Sequence, residues 1–131
     1  MTSLATLTDD GRRFFTEYHL ATLSTLGPDS GIHVVAVGYT LDDAGVIRII
    51  TSDGSQKVRN IERDPRATVA QVAGPQWASI AGTAVIEREP DAVAHAVALY
   101  AARYRQPRPN PLRVVIRLTP AKVLGSAGLW G

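Results

Sequence analysis

The chain has 131 residues, of which 14 are basic and 12 acidic, so its formal net charge is +2 at pH 7. This length fits one domain over residues 1–131, and its 45% apolar and 20% charged residues argue against intrinsic disorder. Because cysteine is absent and no apolar run approaches about 20 residues, we expect no disulfides, thiol catalysis, Cys-ligated metal or membrane span, and a reducing, cytoplasmic setting.

The first half of the chain predicts one helix followed by a β-meander. Thr8-Asp9-Asp10 is typical of a helix start, because two acids stand at the positive end of the helix dipole, and the helix is expected to run to about Tyr18. Turn sequences at 27–31 and 42–45 then separate apolar, alternating segments. The predicted strands are His19–Leu26, Ile32–Leu41 and Val46–Thr51.

The second half predicts two more helices between strands. A loop leads into a short helix that stops near Asp64-Pro65, and a longer helix opens at Pro90. A proline-rich segment, 106–111, can be neither helix nor central strand. The predicted strands are Ala67–Ala73, Trp77–Arg88 with a bend at Gly82, Leu112–Leu118 and Ala121–Leu124. Six or seven strands joined by tight turns favour an antiparallel barrel, and a chain this short would need a second copy to cover it.

The C-terminal part of the chain is strongly basic despite the small net charge. Residues 92–131 contain no acid and six bases: Arg103, Arg105, Arg108, Arg113, Arg117 and Lys122. Arginine binds carboxylates and phosphates through a rigid, bidentate fork. This composition favours an anionic partner, and a solvated arginine-rich surface is the alternative.

Familiar catalytic motifs are missing. The sequence contains neither G-x-G-x-x-G nor G-x-x-x-x-G-K-[ST], no G-x-S-x-G, and no histidine at metal-ligand spacing from another histidine or acid. If the protein is an enzyme, we therefore expect a cofactor to supply the chemistry.

One local pattern predicts a phosphate site. The strand ending at Thr51 leads through a loop into a helix that begins at Ser55-Gln56-Lys57, and Asn60 follows one turn later on the same side. A helix N-terminus exposes unpaired N–H groups, and the hydroxyl, amide and ammonium groups here add further donors. A plain capped helix with a surface lysine is the alternative.

The ordered set T-x-x-x-S-Q-K-x-x-N, D-P-R-A-T-V, W-x-x-I-x-G-x-A and R-V-V-I-R-L-T-P-A-K-V-L-G resembles the pyridoxamine-phosphate-oxidase-like flavin-binding split barrels. It is most similar to the deazaflavin branch that uses coenzyme F420, including its biliverdin reductases, and the resemblance spans about residues 20–125. It implies a mostly β fold: a six-stranded antiparallel FMN-binding split barrel with flanking helices, forming a homodimer with cofactor sites at the interface. It also implies reduction of biliverdin, or a similar conjugated planar substrate, by hydride transfer from the reduced deazaflavin.

The resemblance also suggests the cofactor-binding residues. The strand from His33 to Val37 would offer backbone contacts to the ring, the loop and helix start after Thr51 would hold the phosphate, and Trp77 would reach the partner's site. Independently of the resemblance, the basic C-terminal composition favours Arg103 and Arg113 as the arginines nearest the anionic groups. Together, the candidate cofactor-binding residues are His33, Val34, Val35, Ala36, Val37, Thr51, Ser52, Ser55, Gln56, Lys57, Asn60, Trp77, Arg103 and Arg113. Catalytic residues remain unassigned.

Two other functions stay open at this point. An FMN-dependent oxidase of a pyridoxine-type substrate is one, although Gln56 stands where those oxidases often carry arginine. The other is a non-enzymatic module that binds anions or nucleic acid through residues 103–117; we expect no nucleic-acid partner, because Tyr104 is the only aromatic residue there. For single residues, the alternatives are a purely structural role for His33 and an interface anchor for Trp77.

Overall fold

The computed structural model describes residues 6–131. Within that range the chain forms three α-helices, seven β-strands and a short 3-10 turn at Ala127–Leu129. The elements in order are α1 (Asp9–Thr16), β1 (Ala21–Leu26), β2 (Ile32–Val37), β3 (Thr40–Leu41), β4 (Ile47–Ser52), α2 (Gln56–Arg63), β5 (Arg66–Ala73), β6 (Gln76–Glu87), α3 (Pro90–Arg103) and β7 (Arg113–Gly125). The predicted mostly β class with flanking helices is confirmed.

All seven strands belong to one curled antiparallel sheet, in the order β2-β1-β5-β6-β7-β4-β3. Side chains from one face fill the core: Leu23, Val69 and Ile80 lie opposite one another on β1, β5 and β6 and are fully buried. Each such side chain contributes about 1.5–3 kcal/mol through burial. Phe14 of α1 and Val58 of α2 join the same core, so the helices close the barrel over these strands.

The bend predicted at Gly82 is present. The register between β6 and β7 shifts between Ala81 and Gly82, where Gly82 lies opposite Pro120. A Cβ atom at position 82 would collide with the carbonyl oxygen of Thr119, so the close approach of the two strands requires glycine there.

Helix starts follow the sequence signals. Thr8 precedes α1, and its Oγ1 accepts a hydrogen bond from the Gly11 amide at 3.0 Å. Pro90 occupies the first position of α3, as predicted. No helix within residues 6–131 combines the length and the hydropathy needed to cross a bilayer.

Two predicted strand boundaries are wrong. The strand expected over 32–41 breaks at Gly38-Tyr39, and its two pieces lie at opposite edges of the sheet. The break is held by α3, since the Tyr104 hydroxyl accepts from the Tyr39 amide at 3.1 Å and Arg103 donates to the Tyr39 carbonyl at 2.8 Å. These bonds replace ladder partners. The segments 112–118 and 121–124 form the single strand β7, because Pro120 falls at the irregular step beside Gly82.

Candidate functional site

A pocket of about 330 Å³ lies where the two ends of the curled sheet approach each other. The C-terminal ends of β2 and β4 form two of its walls, α2 and α3 each contribute one side chain, and the proline-rich segment covers a third side. The lining residues are Ala36, Val37, Gly38, Ile50, Thr51, Ser52, Lys57, Tyr100, Pro107, Asn110 and Arg113. Six of the fourteen sequence-predicted residues therefore meet here: Ala36, Val37, Thr51, Ser52, Lys57 and Arg113.

The polar groups of this pocket are hydrogen-bond donors with little to bind inside the protein. Lys57 forms no ion pair with any of residues 6–131, and no carboxylate lines the pocket. Arg113 uses one guanidinium nitrogen on the Arg108 carbonyl, at 2.6 Å. A cavity lined by unpaired cations and hydroxyls is suited to an anion.

Burial lowers the pKa of Lys57 below its ordinary value. The cause is desolvation, which disfavours the charged ammonium when no counter-charge is near. An anion in the pocket would supply that counter-charge and shift the pKa of Lys57 upward again.

The start of α2 provides a test of whether phosphate fits. Ser55 is the N-cap residue, yet its hydroxyl makes no capping bond and is buried with no hydrogen-bond partner among residues 6–131. A buried hydroxyl without a partner costs about 1–3 kcal/mol. Ser55 does not line the pocket, whereas Ser52 and Lys57 on either side of it do. A phosphate oxygen that reached this helix start would satisfy the hydroxyl, so the residues present fit the phosphate of a flavin or deazaflavin.

Gln56 and Asn60 have their side chains engaged within the protein. The Gln56 Nε2 group donates to Asn60 Oδ1 at 2.7 Å, and the fully buried Asn60 donates through Nδ2 to Thr25 Oγ1 at 3.1 Å. Neither residue lines the pocket. Their bonds attach α2 to β1 and so fix the position of the helix start.

Strand β2 is an edge strand whose N-terminal part lies outside the pocket. His33, Val34 and Val35 do not line it, whereas Ala36 and Val37 do. One side of β2 pairs with β1 and the other has no partner strand within residues 6–131, which leaves backbone groups free for a ligand. The His33 side chain carries a buried Nδ1 atom without a hydrogen-bond partner among these residues.

Arg103, which the sequence predicts to lie near an anion, does not line this pocket. Its guanidinium donates to the carbonyl oxygens of Glu17 at 2.9 Å and Tyr39 at 2.8 Å, and to Gln71 Oε1 at 2.8 Å. The group also stacks over the Tyr39 ring, 4.6 Å from its centroid. A further bond to the Phe14 carbonyl, at 3.4 Å, means that four of the five guanidinium N–H groups are used inside the protein, and Arg103 holds the Gly38-Tyr39 crossing in place.

Trp77 belongs to a largely uncharged surface on the side of the sheet away from the core. Residues opposite one another in antiparallel strands share a face, and these positions form what we call the outer sheet face. Lys122 is its only charged member, and the exposed Arg66, the preceding position of β5 on the same side, borders it and pairs with Asp64. The face consists of Thr22, Ser24, Leu26, Ile32, Val34, Ala36, Thr68, Ala70, Val72, Trp77, Ser79, Ala81, Lys122 and Leu124.

The outer sheet face is unusually apolar for a surface open to water. Ile32 is 75% exposed and Val72 72%. An apolar patch this broad marks an interaction site. Ala36 belongs both to this face and to the pocket lining, so the pocket opens at the edge of the face.

Sequence reasoning missed part of the pocket. Asn110 and Pro107 come from the proline-rich segment, and Tyr100 comes from α3. The signal that could have identified Asn110 is its place between two prolines, since a polar side chain on such a rigid segment is held in one position.

Comparison with known proteins now identifies the family. The family model for pyridoxamine 5'-phosphate oxidase matches residues 7–127. The chain belongs to this family. Its curled antiparallel sheet is the family's split barrel, and the count of seven strands instead of six reflects the break at Gly38-Tyr39.

Individual relatives agree with this assignment. The chain is 49% identical over 124 residues to a Mycobacterium tuberculosis (strain CDC 1551 / Oshkosh) protein named F420H(2)-dependent biliverdin reductase, covering 94% of this chain and 90% of the relative. A conserved hypothetical protein of Mycobacterium tuberculosis has a similar structure, with a TM-score of 0.78, 25% identity, and coverage of 95% and 88%. A structure described as an F420 reductase matches with a TM-score of 0.72 at 23% identity, over 86% and 94% of the two chains, and shows the fold alone.

Proposed function

We propose that this protein is a coenzyme F420-dependent oxidoreductase that reduces biliverdin. The observation that carries the proposal is the 49% identity, over 94% of the chain, to a protein named for that activity. The reduced deazaflavin, when bound, supplies the hydride. The chain itself binds and orients the two reactants, since no acid–base group lines the pocket apart from Lys57, Arg113 and Tyr100.

The pocket described above would receive the cofactor's anionic end. Lys57, Ser52, Thr51 and Ser55 are the donors we assign to the phosphate. Lys57 supplies the charge, and the Ser55 hydroxyl lacks any other partner among residues 6–131. Gln56 and Asn60 support this edge by attaching α2 to β1.

The ring would lie along β2, with Arg113 near the anionic groups. Backbone groups on the unpaired edge of residues 33–37 are available for polar contacts with the ring. Arg113 lines the pocket, and the exposed Arg105 and Arg108 form no ion pair with any of residues 6–131. We propose that these arginines attract the carboxylates of the cofactor tail or of an anionic substrate such as biliverdin.

We further propose a homodimer in which two outer sheet faces pack together. The face is broad, apolar and nearly free of charge, and the pocket opens at its edge through Ala36. This arrangement would bring Trp77 of one protomer toward the cofactor site of the other. Each chain would contribute one domain over residues 1–131 and act in the cytoplasm, as the absence of cysteine leads us to expect.

Sedimentation velocity tests the dimer. We expect wild type to sediment as a dimer and Ala70→Arg, at the centre of the outer sheet face, to sediment as a monomer, because a buried arginine there would lack a partner. The matched control is Ala102→Arg on an exposed position of α3, which should remain dimeric. A monomeric wild-type protein would contradict the proposal.

The activity is tested by titrating the purified protein with coenzyme F420 and, separately, with FMN, and then by following biliverdin absorbance with the reduced deazaflavin. We expect tighter binding of F420 than of FMN, and biliverdin turnover that requires the reduced deazaflavin. Lys57→Ala should weaken F420 binding, whereas Arg12→Ala, which removes an exposed charge from α1, should not. A yellow protein that retains FMN and ignores F420 would favour the oxidase alternative.

A further inference from the structure

Asn110 determines how the hydroxyl of Ser52 can form hydrogen bonds. Asn110 Nδ2 donates to Ser52 Oγ at 2.8 Å. An amide nitrogen carries hydrogens and cannot accept, so the Ser52 hydroxyl hydrogen must point elsewhere. The structure provides no acceptor for that hydrogen among residues 6–131, and Ser52 lines the pocket.

The orientation of the Asn110 amide is fixed by a second bond. Asn110 Oδ1 accepts from the Leu112 amide at 3.0 Å, and the Asn110 carbonyl oxygen accepts from the Arg113 amide at 3.1 Å. Rotating the side-chain amide by 180° would place two donors against each other at the Leu112 amide, so the Leu112 contact selects the observed orientation. Prolines at 109 and 111 restrict the backbone on both sides.

We infer that Asn110 is a positioning residue that makes the Ser52 hydroxyl an obligatory donor to an anionic oxygen bound beside Lys57. The inference rests on the proposed function for the identity of that anion, a phosphate of the cofactor. Because Asn110 occupies a lone pair of Ser52 Oγ, the Ser52 hydroxyl hydrogen is left for the pocket, which suits an oxygen that carries lone pairs and no proton.

The substitution Asn110→Asp tests this role because it changes one group while keeping the shape. An aspartate retains the acceptor for the Leu112 amide. Its second oxygen would accept the Ser52 hydroxyl hydrogen and turn that hydrogen away from the pocket. We expect the dissociation constant for coenzyme F420 to rise at least tenfold, the size associated with losing a hydrogen bond to a charged group.

Two comparisons separate this effect from charge and from misfolding. Gln106→Glu adds the same charge at an exposed position of the same segment that does not line the pocket, and should change affinity less than about threefold. Ser52→Ala removes the hydroxyl, and in that background Asn110→Asp should cost no more than Gln106→Glu. Melting temperatures of all variants check that each is folded.

The outcomes distinguish this inference from the proposed function. Each variant is titrated with coenzyme F420 and, by melting-temperature rise at matched ionic strength, with inorganic phosphate. If wild type binds phosphate but not F420, the proposed function falls, and the inference stands only if Ser52 and Asn110 are coupled for phosphate. If Asn110→Asp weakens binding equally with serine or alanine at position 52, Asn110 does not act through Ser52 and the inference is wrong. Binding of neither probe by wild type overturns both.

Discussion

Two basic side chains, Arg103 and Lys57, were both predicted to meet an anion, and the structure treats them in opposite ways. Arg103 is buried and donates to backbone carbonyls and to Gln71. Lys57 is half-buried and has no partner among residues 6–131. A basic residue therefore marks a ligand site when its N–H donors form no hydrogen bonds within the protein. The sequence alone does not show which donors form such bonds.

The largest expected effect is the loss of stability when the Arg103 side chain is removed. Arg103→Ala should lower the free energy of unfolding by about 3 kcal/mol, because it removes several buried charge-assisted bonds and the stacking on Tyr39. Chemical denaturation measures this loss, with Arg105→Ala, an exposed arginine two residues on, as the control. An Arg103→Ala protein of normal stability that binds F420 weakly would instead make Arg103 a ligand.

The second effect concerns Asn60, whose side chain, like that of Arg103 and unlike that of Lys57, is hydrogen-bonded within the protein. Asn60→Ala should cost about 2 kcal/mol of unfolding free energy, because Thr25 and Gln56 lose a fully buried partner. Because Asn60 does not line the pocket, the folded variant should bind F420 within about threefold of wild type. A large loss of affinity at unchanged stability would place Asn60 at the ligand.

The pH dependence of F420 binding tests whether the charged form of Lys57 binds the anion. Burial lowers the pKa of Lys57 in the free protein, and a bound anion favours the charged form. Affinity should therefore fall as pH rises through the pKa of Lys57 in the free protein, by up to about tenfold per pH unit. Lys57→Arg should flatten this profile, since the guanidinium stays charged. An identical slope in both proteins would assign the titration to another group.

The smallest effect concerns the exposed ion cluster at the loop before α2. Arg88 donates to Asp53 at 2.9 Å and to Glu62 at 3.1 Å, and its hydrogen bond lowers the pKa of Asp53 below 3.8. Arg88→Gln should change F420 affinity by less than about threefold, as for other exposed pairs. Because the pKa of Asp53 is lowered on folding, the stabilisation is present above pH 3.8 and is lost as pH falls through the folded value. The stability difference between Arg88→Gln and wild type should shrink in acid denaturation over that range.

Local signals predicted most of the fold. Thr8, Pro90 and Gly82 each act through their own backbone or nearest neighbours, and the structure confirms the helix starts and the bend. The break at Gly38-Tyr39 could not be predicted this way. It depends on hydrogen bonds from Arg103 and Tyr104, more than 60 residues away in sequence.

The same distinction between local and long-range contacts decides which residues of the candidate site could be predicted. The segment from Thr51 to Lys57 was found because strand, loop and helix start are contiguous in sequence. Asn110 was missed because its contact with Ser52 joins residues 58 positions apart. His33, Val34 and Val35 share a strand with two pocket residues, and how far the pocket extends along that strand is decided by the curl of the sheet.

The position of the pocket between β2 and β4 has a mechanical consequence for the barrel. These strands stand at the first and sixth places in the sheet order, and no ladder pairs them with each other within residues 6–131. The chain connection through Gly38-Tyr39 and β3 reaches β4 at the end away from the pocket. A ligand that contacts both strands would bridge the gap between the two ends of the curled sheet and oppose their separation. Amide hydrogen exchange in β2 should then slow when F420 binds, while exchange in the central strands β5 and β6 changes little.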